Sequence, residues 1–187
     1  MRIDSGSHRG THLAVPEGKD IRPTSDRARQ AIFNILVHGH DAVRDAKVLD
    51  VFAGSGALGL EALSRGAASL VAMERERIAA DCIKQNAAAC HESERTTILL
   101  GDATQPPPAH RHGRSAPCDL VFLDPPYNQD LVAPALAALT RQGWIAGNAL
   151  VVAEMATRDA FTPPPGFQPI DERRYGKARV VFLRYTD

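Results

Sequence analysis

The sequence predicts an α/β fold: a mostly parallel sheet with helices on both faces. Three observations carry that expectation. Short apolar runs alternate with stretches of helical spacing between residues 47 and 155. The runs are apolar nearly throughout, as strands buried on both faces require. Glycines follow the first run at once, as Gly54-x-Gly56-x-x-Gly59, the form of a tight strand-to-helix turn.

Residues 1–20 predict a small β-hairpin extension, since the β-like pieces MRID and THLAV flank the turn-rich SGSHRG. Residues 21–187 predict the main domain. Its first element is a helix within IRPTSDRARQAIFNILVHG, capped by Thr24 or Ser25, with Ala28, Ala31, Ile32, Ile35 and Leu36 along one face. KVLDVF (47–52) predicts the first strand. ALGLEALSRG (57–66) predicts a helix that Gly66 stops. SLVAME (69–74) is a strand, RERIAADCIKQNAAA (75–89) a helix and TTILLG (96–101) a strand. ATQPPPAHRHGRSAP (103–117) is Pro-rich and predicts a surface loop with room for one turn. DLVFLD (119–124) is a strand, DLVAPALAALTRQGW (130–144) is mostly helix, and ALVVAEM (149–155) is a strand. The last strand, ARVVFLRY (178–185), follows TPPPGFQPI, which offers no crossover helix. It is therefore expected to pair antiparallel.

Composition narrows the function classes. Lysines and arginines number 22, as do aspartates and glutamates, so the formal net charge is zero. A generally sticky polycation is excluded, but a local basic patch is not. Arg22, Arg27 and Arg29 cluster at the entrance of the first helix, and with Lys177 they are candidate phosphate contacts. No apolar run approaches the roughly 18 residues of a membrane span. The N-terminus lacks the apolar stretch of a secretory signal. The three cysteines show no CxxC spacing, which suits a reduced, cytoplasmic setting. His38-x-His40 and His110-x-His112 have no Cys or carboxylate frame around them, so no metal is expected.

The glycine loop points to a nucleotide-like ligand. Small residues let a ligand approach the backbone, and the helix N-terminus presents free N–H groups. Phe52, Ala53, Gly54, Ser55 and Gly56 form this turn. Glu74, with Arg75 beside it, ends the second strand, where a carboxylate can accept from both ribose hydroxyls. A nicotinamide dinucleotide and S-adenosylmethionine both satisfy that pattern. Asp50 favours the second: it would repel a pyrophosphate and attract an amino-acid ammonium. Its alternative role is to tie down the loop. Asp102 and Ala103 follow the third strand, at the edge where a doubly wound sheet binds ligands. Asp102 can accept there from an adenine amino group, or simply close a turn.

DLVFLDPPY ends a buried strand in a carboxylate and then gives up two N–H donors in succession. An exocyclic base amine is a poor nucleophile, because its lone pair is delocalised into the ring. A site that accepts hydrogen bonds from both amine hydrogens steers the nitrogen toward tetrahedral geometry. The Asp124 carboxylate and the Pro125 carbonyl are two such acceptors. Pro125 and Pro126 fix φ near −65° and remove competing donors. Tyr127 can stack on a flat base, worth about 1–3 kcal/mol in single-strand binding sites. Displacement on a sulfonium methyl is then chiefly positioning, and no metal is required.

The segments RPTSDRARQAIFNIL, LDVFAGSGALGLEALSRGA, DLVFLDPPY and YGKARVVFLRY, in that order, resemble the bacterial small-subunit ribosomal RNA guanine-N2 methyltransferases of the RsmD type. The resemblance runs from about residue 9 to the C-terminus. It implies a Rossmann-like class I methyltransferase fold with a seven-stranded sheet and an antiparallel last strand. It implies S-adenosylmethionine as donor, and N2 of one guanosine in 16S rRNA, within a small subunit already carrying proteins, as target. It places Asp124 to Tyr127 on the base, Asp50 and residues 53–56 at the methionine end, Glu74 on the ribose and Asp102 near adenine. Three other readings stand beside it: an adenine-N6 methyltransferase acting on RNA or DNA, an NAD-dependent oxidoreductase, and a non-catalytic RNA-binding assembly module.

Overall fold

The computed structural model describes residues 1–16 and 26–186, excepting the side chains of Asp26, Arg114 and Ser115. Arg22, Thr24 and Ser25, expected at the entrance of the first helix, lie outside the described residues.

Seven strands form one sheet in the order β3-β2-β1-β4-β5-β7-β6. They are β1 (Lys47–Val51), β2 (Ser69–Glu74), β3 (Thr96–Leu100), β4 (Cys118–Leu123), β5 (Ile145–Ala156), β6 (Phe167–Tyr175) and β7 (Ala178–Tyr185). The first five pair in parallel, while β7 pairs antiparallel with both β5 and β6. Among the described residues four α-helices cover the sheet: α1 (Asp26–Asn34), α2 (Ala57–Ser64), α3 (Arg77–Ala89) and α4 (Val132–Arg141). The mostly parallel α/β fold with an antiparallel last strand is thus present as the sequence implied.

Period two along each strand divides the core into two layers. Val48, Leu70, Leu120, Phe122, Leu150 and Val152 face one layer, packed against α1, α2, α3 and the N-terminal segment. Leu49, Val51, Val71, Val121, Leu123, Val151 and Ala153 face the other, where α4 and Trp144 cover them. α3 shows why it is a helix: Ala79, Ala80, Ile83 and Ala87 are buried on one face, while Asp81, Lys84 and Gln85 are exposed.

Three regions differ in detail from the expectation. β6 is a strand that the sequence pattern does not predict. FQPIDERRY buries only Phe167, has a proline within it and lies at the sheet edge, so no apolar periodicity marks it. The Pro-rich loop carries a short 3-10 stretch at Ala109–Ser115. At the N-terminus, strand pairing is reduced to a single bridge, Arg2 with His12.

That N-terminal segment is built into the core. Ile3 and Leu13 are buried in the same layer as α1 and α2. Fully buried Glu61 on α2 accepts from the backbone N–H groups of Asp4 (2.7 Å) and Ser5 (3.1 Å) and from Arg65 Nε (2.6 Å). Ser7 N–H donates to the Ser64 carbonyl at 2.8 Å. Gly6 makes this approach possible. Its φ is +84°, and a Cβ there would lie 1.8 Å from the Ser64 carbonyl oxygen. Gly6→Ala is therefore expected to lift residues 3–8 off α2 and destabilise the protein by about 2 kcal/mol or more. Thermal unfolding together with amide exchange at Asp4 and Ser5 checks this. Unchanged protection of those amides would refute it.

Candidate active site

β1 ends at Val51 and the chain turns at once. Phe52 takes φ +62°, costly for an aromatic residue and therefore imposed by its surroundings. Gly54 and Gly56 follow with φ +58° and +75°. A side chain at Gly56 would press on Ile83, with its Cβ 3.1 Å from Cγ2. At Gly54 the nearest atom to such a Cβ would be the Phe52 carbonyl oxygen at 4.0 Å, so this part of the loop is uncrowded.

Three side chains hold the loop. The buried Asp50 carboxylate accepts from Gly59 N–H at 2.9 Å, near the start of α2. Glu74 accepts from Gly54 N–H and Glu76 N–H, each at 2.9 Å, tying the loop to the end of β2. Asn86 on α3 donates to the Ser55 carbonyl at 2.9 Å, and it also exchanges bonds with the backbone N–H and carbonyl of Ala14. The sequence reading did not single out Asn86. Its only sequence signal is an amide on the otherwise apolar inner face of a helix.

These contacts locate the sequence-derived residues. Asp50 ties down the loop from beneath. Burial, followed by the nearby Glu74 charge, pushes its carboxyl up to about 7 against the opposing pull of the Gly59 bond. Asp102 is exposed beyond β3 and takes both the N–H and the hydroxyl of Thr104 on Oδ1, at 2.8 Å each. The two Thr104 bonds, with a smaller contribution from Arg75, hold Asp102 below the usual carboxylate range, so it remains an ionised acceptor. Ala103 is buried beside it, and Arg75 is exposed.

Asp124 follows β4, where its N–H points to the Val51 carbonyl at 3.5 Å. Val51 pairs with Met73 and Leu123, and Leu123 pairs with Ala153. Glu74, Asp124 and Glu154 are each the next residue on. Three carboxylates thus stand at one level of the sheet's carboxyl edge, following Ala72, Phe122 and Val152 on the same face by alternation. Pro125 is buried and Pro126 exposed. The Tyr127 hydroxyl donates to Glu154 Oε1 at 2.7 Å. Asn128 and Asp130 take positive φ and bend the chain toward α4. An open cleft lies between this turn and the β5–β6 connection, lined by Pro126, Tyr127, Met155 and Phe161. Glu154 was also missed in the sequence, although its signal parallels that of Asp124: an acid closing the apolar run ALVVAE.

The basic candidates divide. Arg27 and Lys177 are exposed. Arg29 corrects the expectation of a phosphate contact. It is 2% exposed, donates to Asp4 Oδ2 and to the Arg2 carbonyl, and fastens α1 to the N-terminal segment. Among the described residues no cluster of His, Cys, Asp and Glu could hold a metal ion, and no helix is long and apolar enough to cross a membrane.

Comparisons with known proteins agree in direction. The family described as conserved hypothetical protein 95 matches residues 1–184. The Escherichia coli protein named ribosomal RNA small subunit methyltransferase D is 34% identical over 165 residues, spanning 88% of this chain and 79% of that protein. The Haemophilus influenzae protein of the same name is 31% identical over 180 residues, spanning 94% and 89%. The solved structure of the Escherichia coli protein yhhF is similar with a TM-score of 0.84 at 32% identity, covering 100% of this chain and 98% of that one.

The raised Asp50 pKa has a consequence for stability. The folded protein binds the Asp50 proton more tightly than the unfolded chain does. This group's contribution is therefore greatest at low pH and is lost as pH rises from about 4 to about 7. Asp50→Asn keeps an acceptor for Gly59 and cannot ionise. Its stability relative to the unsubstituted protein should climb across that window, by on the order of 4 kcal/mol, and level off above it. Denaturant melts at pH 4.5, 6 and 8 without ligand would show it. A pH-independent difference would refute the assignment.

Proposed function

The chain belongs to the family of the ribosomal RNA small subunit methyltransferase D proteins, and from that premise we propose that it transfers a methyl group from S-adenosylmethionine to the exocyclic N2 of a guanosine in 16S rRNA, within a small ribosomal subunit or an assembly intermediate in the cytoplasm. One observation carries the reading. The carboxyl edge of the sheet is lined by carboxylates, Glu74, Asp102, Asp124 and Glu154, with Asp50 buried beneath the loop. Such an edge suits a donor bearing a sulfonium and an ammonium, and it disfavours the pyrophosphate of a nicotinamide dinucleotide.

The residues fit that donor. Gly54 presents uncrowded backbone where a ligand can lie close. Ala53, Ser55 and Gly56 complete the cradle, with Phe52 and Arg75 at its margins. Glu74 is a ribose acceptor, since each of its oxygens retains a lone pair beyond its backbone bond. Asp102 Oδ2, the oxygen not engaged by Thr104, would be available to accept from the adenine amine. When bound, S-adenosylmethionine supplies an electrophilic methyl group.

The target amine is placed by Asp124 and the Pro125 carbonyl, which together accept its two hydrogens. Guanine suits a carboxylate, because N1–H and the N2 amine both donate along one edge. Tyr127 and Pro126 face the open cleft, where the flat base can be held. Exposed Arg27 and Lys177 supply phosphate contacts. Arg22, by its sequence position beside Arg27, joins them.

Two measurements test this function. Small subunits lacking the modification, incubated with labelled donor, should yield labelled N2-methylguanosine. Label in adenosine, or none in rRNA, would overturn the substrate assignment. Asp124→Ala should slow transfer by roughly a hundredfold while calorimetry still shows donor binding. Loss of donor binding in that variant would count against the role of Asp124.

The basic residues give a separate test. Arg27→Ala and Lys177→Ala should each weaken RNA binding and reduce its salt slope by about 1. Arg29→Ala should lower thermal stability instead. An unchanged slope at Arg27 and Lys177 would make them ordinary solvated surface.

A further inference from the structure

Glu154 is 7% exposed at the carboxyl end of β5. A carboxylate taken out of water is costly unless it is hydrogen-bonded. One partner of Glu154 is a residue of the catalytic turn: the Tyr127 hydroxyl donates to Oε1 at 2.7 Å, across 27 residues of sequence. The register of β4 on β5 explains the meeting. Leu123 pairs with Ala153, so Asp124 and Glu154 follow side by side on neighbouring strands. Tyr127, three residues past Asp124, returns over the strand ends to reach Glu154.

We infer that Glu154 is a positioning residue for the methyl transfer. Its carboxylate holds the Tyr127 hydroxyl, fixing the position of the ring against which the target base is held and turning a phenolic donor away from the acceptors of the Asp-Pro-Pro turn. The inference deepens the proposed function and rests on it. Charge-assisted O–H···O⁻ bonds are roughly twice as strong as neutral ones, so the pair can restrain a half-buried ring. An aliphatic side chain would fill the same space without directing the hydroxyl. Restraint of the ring matters because small displacements of a bound reactant reduce rate steeply.

The test uses the full chain, unmodified small subunits and four variants. Glu154→Ala should lower kcat about tenfold with KM for S-adenosylmethionine unchanged. Glu154→Gln, whose amide oxygen still accepts, should recover most of that loss. Tyr127→Phe should fall by a similar factor. In the Tyr127→Phe background, Glu154→Ala should add less than twofold, because both changes break one link. Independent, multiplying effects would overturn the inference, as would a Glu154→Gln variant as slow as Glu154→Ala.

A spectroscopic arm separates failure of this inference from failure of the proposed function. In protein carrying labelled tyrosine, Glu154→Ala should move the Tyr127 ring resonance and leave those of Tyr175 and Tyr185 in place. If that resonance stays fixed, the positioning role is wrong whatever the substrate. If it moves while the unsubstituted protein methylates no guanosine, the substrate assignment falls and the pairing of Glu154 with Tyr127 stands.

Discussion

In-register parallel pairing around β1 governs where three carboxylates at the sheet's carboxyl edge stand. Val51 is matched by Met73 on one side and Leu123 on the other, and Leu123 by Ala153. Parallel strands end at a common edge, so the next residue on each can share one level. On β2, β4 and β5 that residue is an acid. A slip of one residue on any of the three would turn its carboxylate toward the opposite layer, among the apolar contacts of α4. The ladder therefore positions Glu74, Asp124 and Glu154 before any side-chain contact does.

Above the ladder, the glycine loop is shaped from below and behind. Asp50 holds Gly59, Glu74 holds Gly54 and Asn86 holds the Ser55 carbonyl. Each side chain satisfies a backbone group that the tight turn leaves without a ladder partner, and each comes from a different element. Asn86 also grips Ala14, so the N-terminal segment and the loop share one anchor. Glu61, buried beneath residues 4 and 5, repeats the device one helix away. The segment is thereby tied to the glycine loop.

The accumulation of acids at one edge carries a cost, and it is handled in two ways. Asp50, fully enclosed, has a raised pKa and sheds part of its charge near neutrality. Asp102, exposed and doubly hydrogen-bonded, keeps its charge. Glu154, buried near the end of β5, accepts the Tyr127 hydroxyl on one oxygen. The basic side chains follow the same logic of burial. Arg29, close to an enclosed aspartate, became part of the scaffold, while Arg27, two residues away, remains in solvent.

The sequence by itself determined the α/β order, the position of the glycine turn, and Glu74 and Asp124 as acids that close two of its strands. Apolar runs, their period and their punctuation by glycine and proline are local properties, and they survive translation into structure nearly unchanged. The Asp-Pro-Pro-Tyr turn was legible for the same reason, since proline fixes its backbone wherever it stands. Only the tertiary structure decided which cations are available, which acids are partnered, and what the polar residues of buried faces do. Arg27 and Arg29 look alike in sequence; a contact to Asp4, 25 residues away, separates them. Asn86 and Glu154 read as single polar interruptions until the fold brings them to Ser55 and Tyr127. β6, with one buried residue, became a strand because β7 offered it an open edge. The physical reason is common to all four. Hydrogen bonding and burial are settled by neighbours distant in sequence, and those neighbours exist only once the sheet has formed.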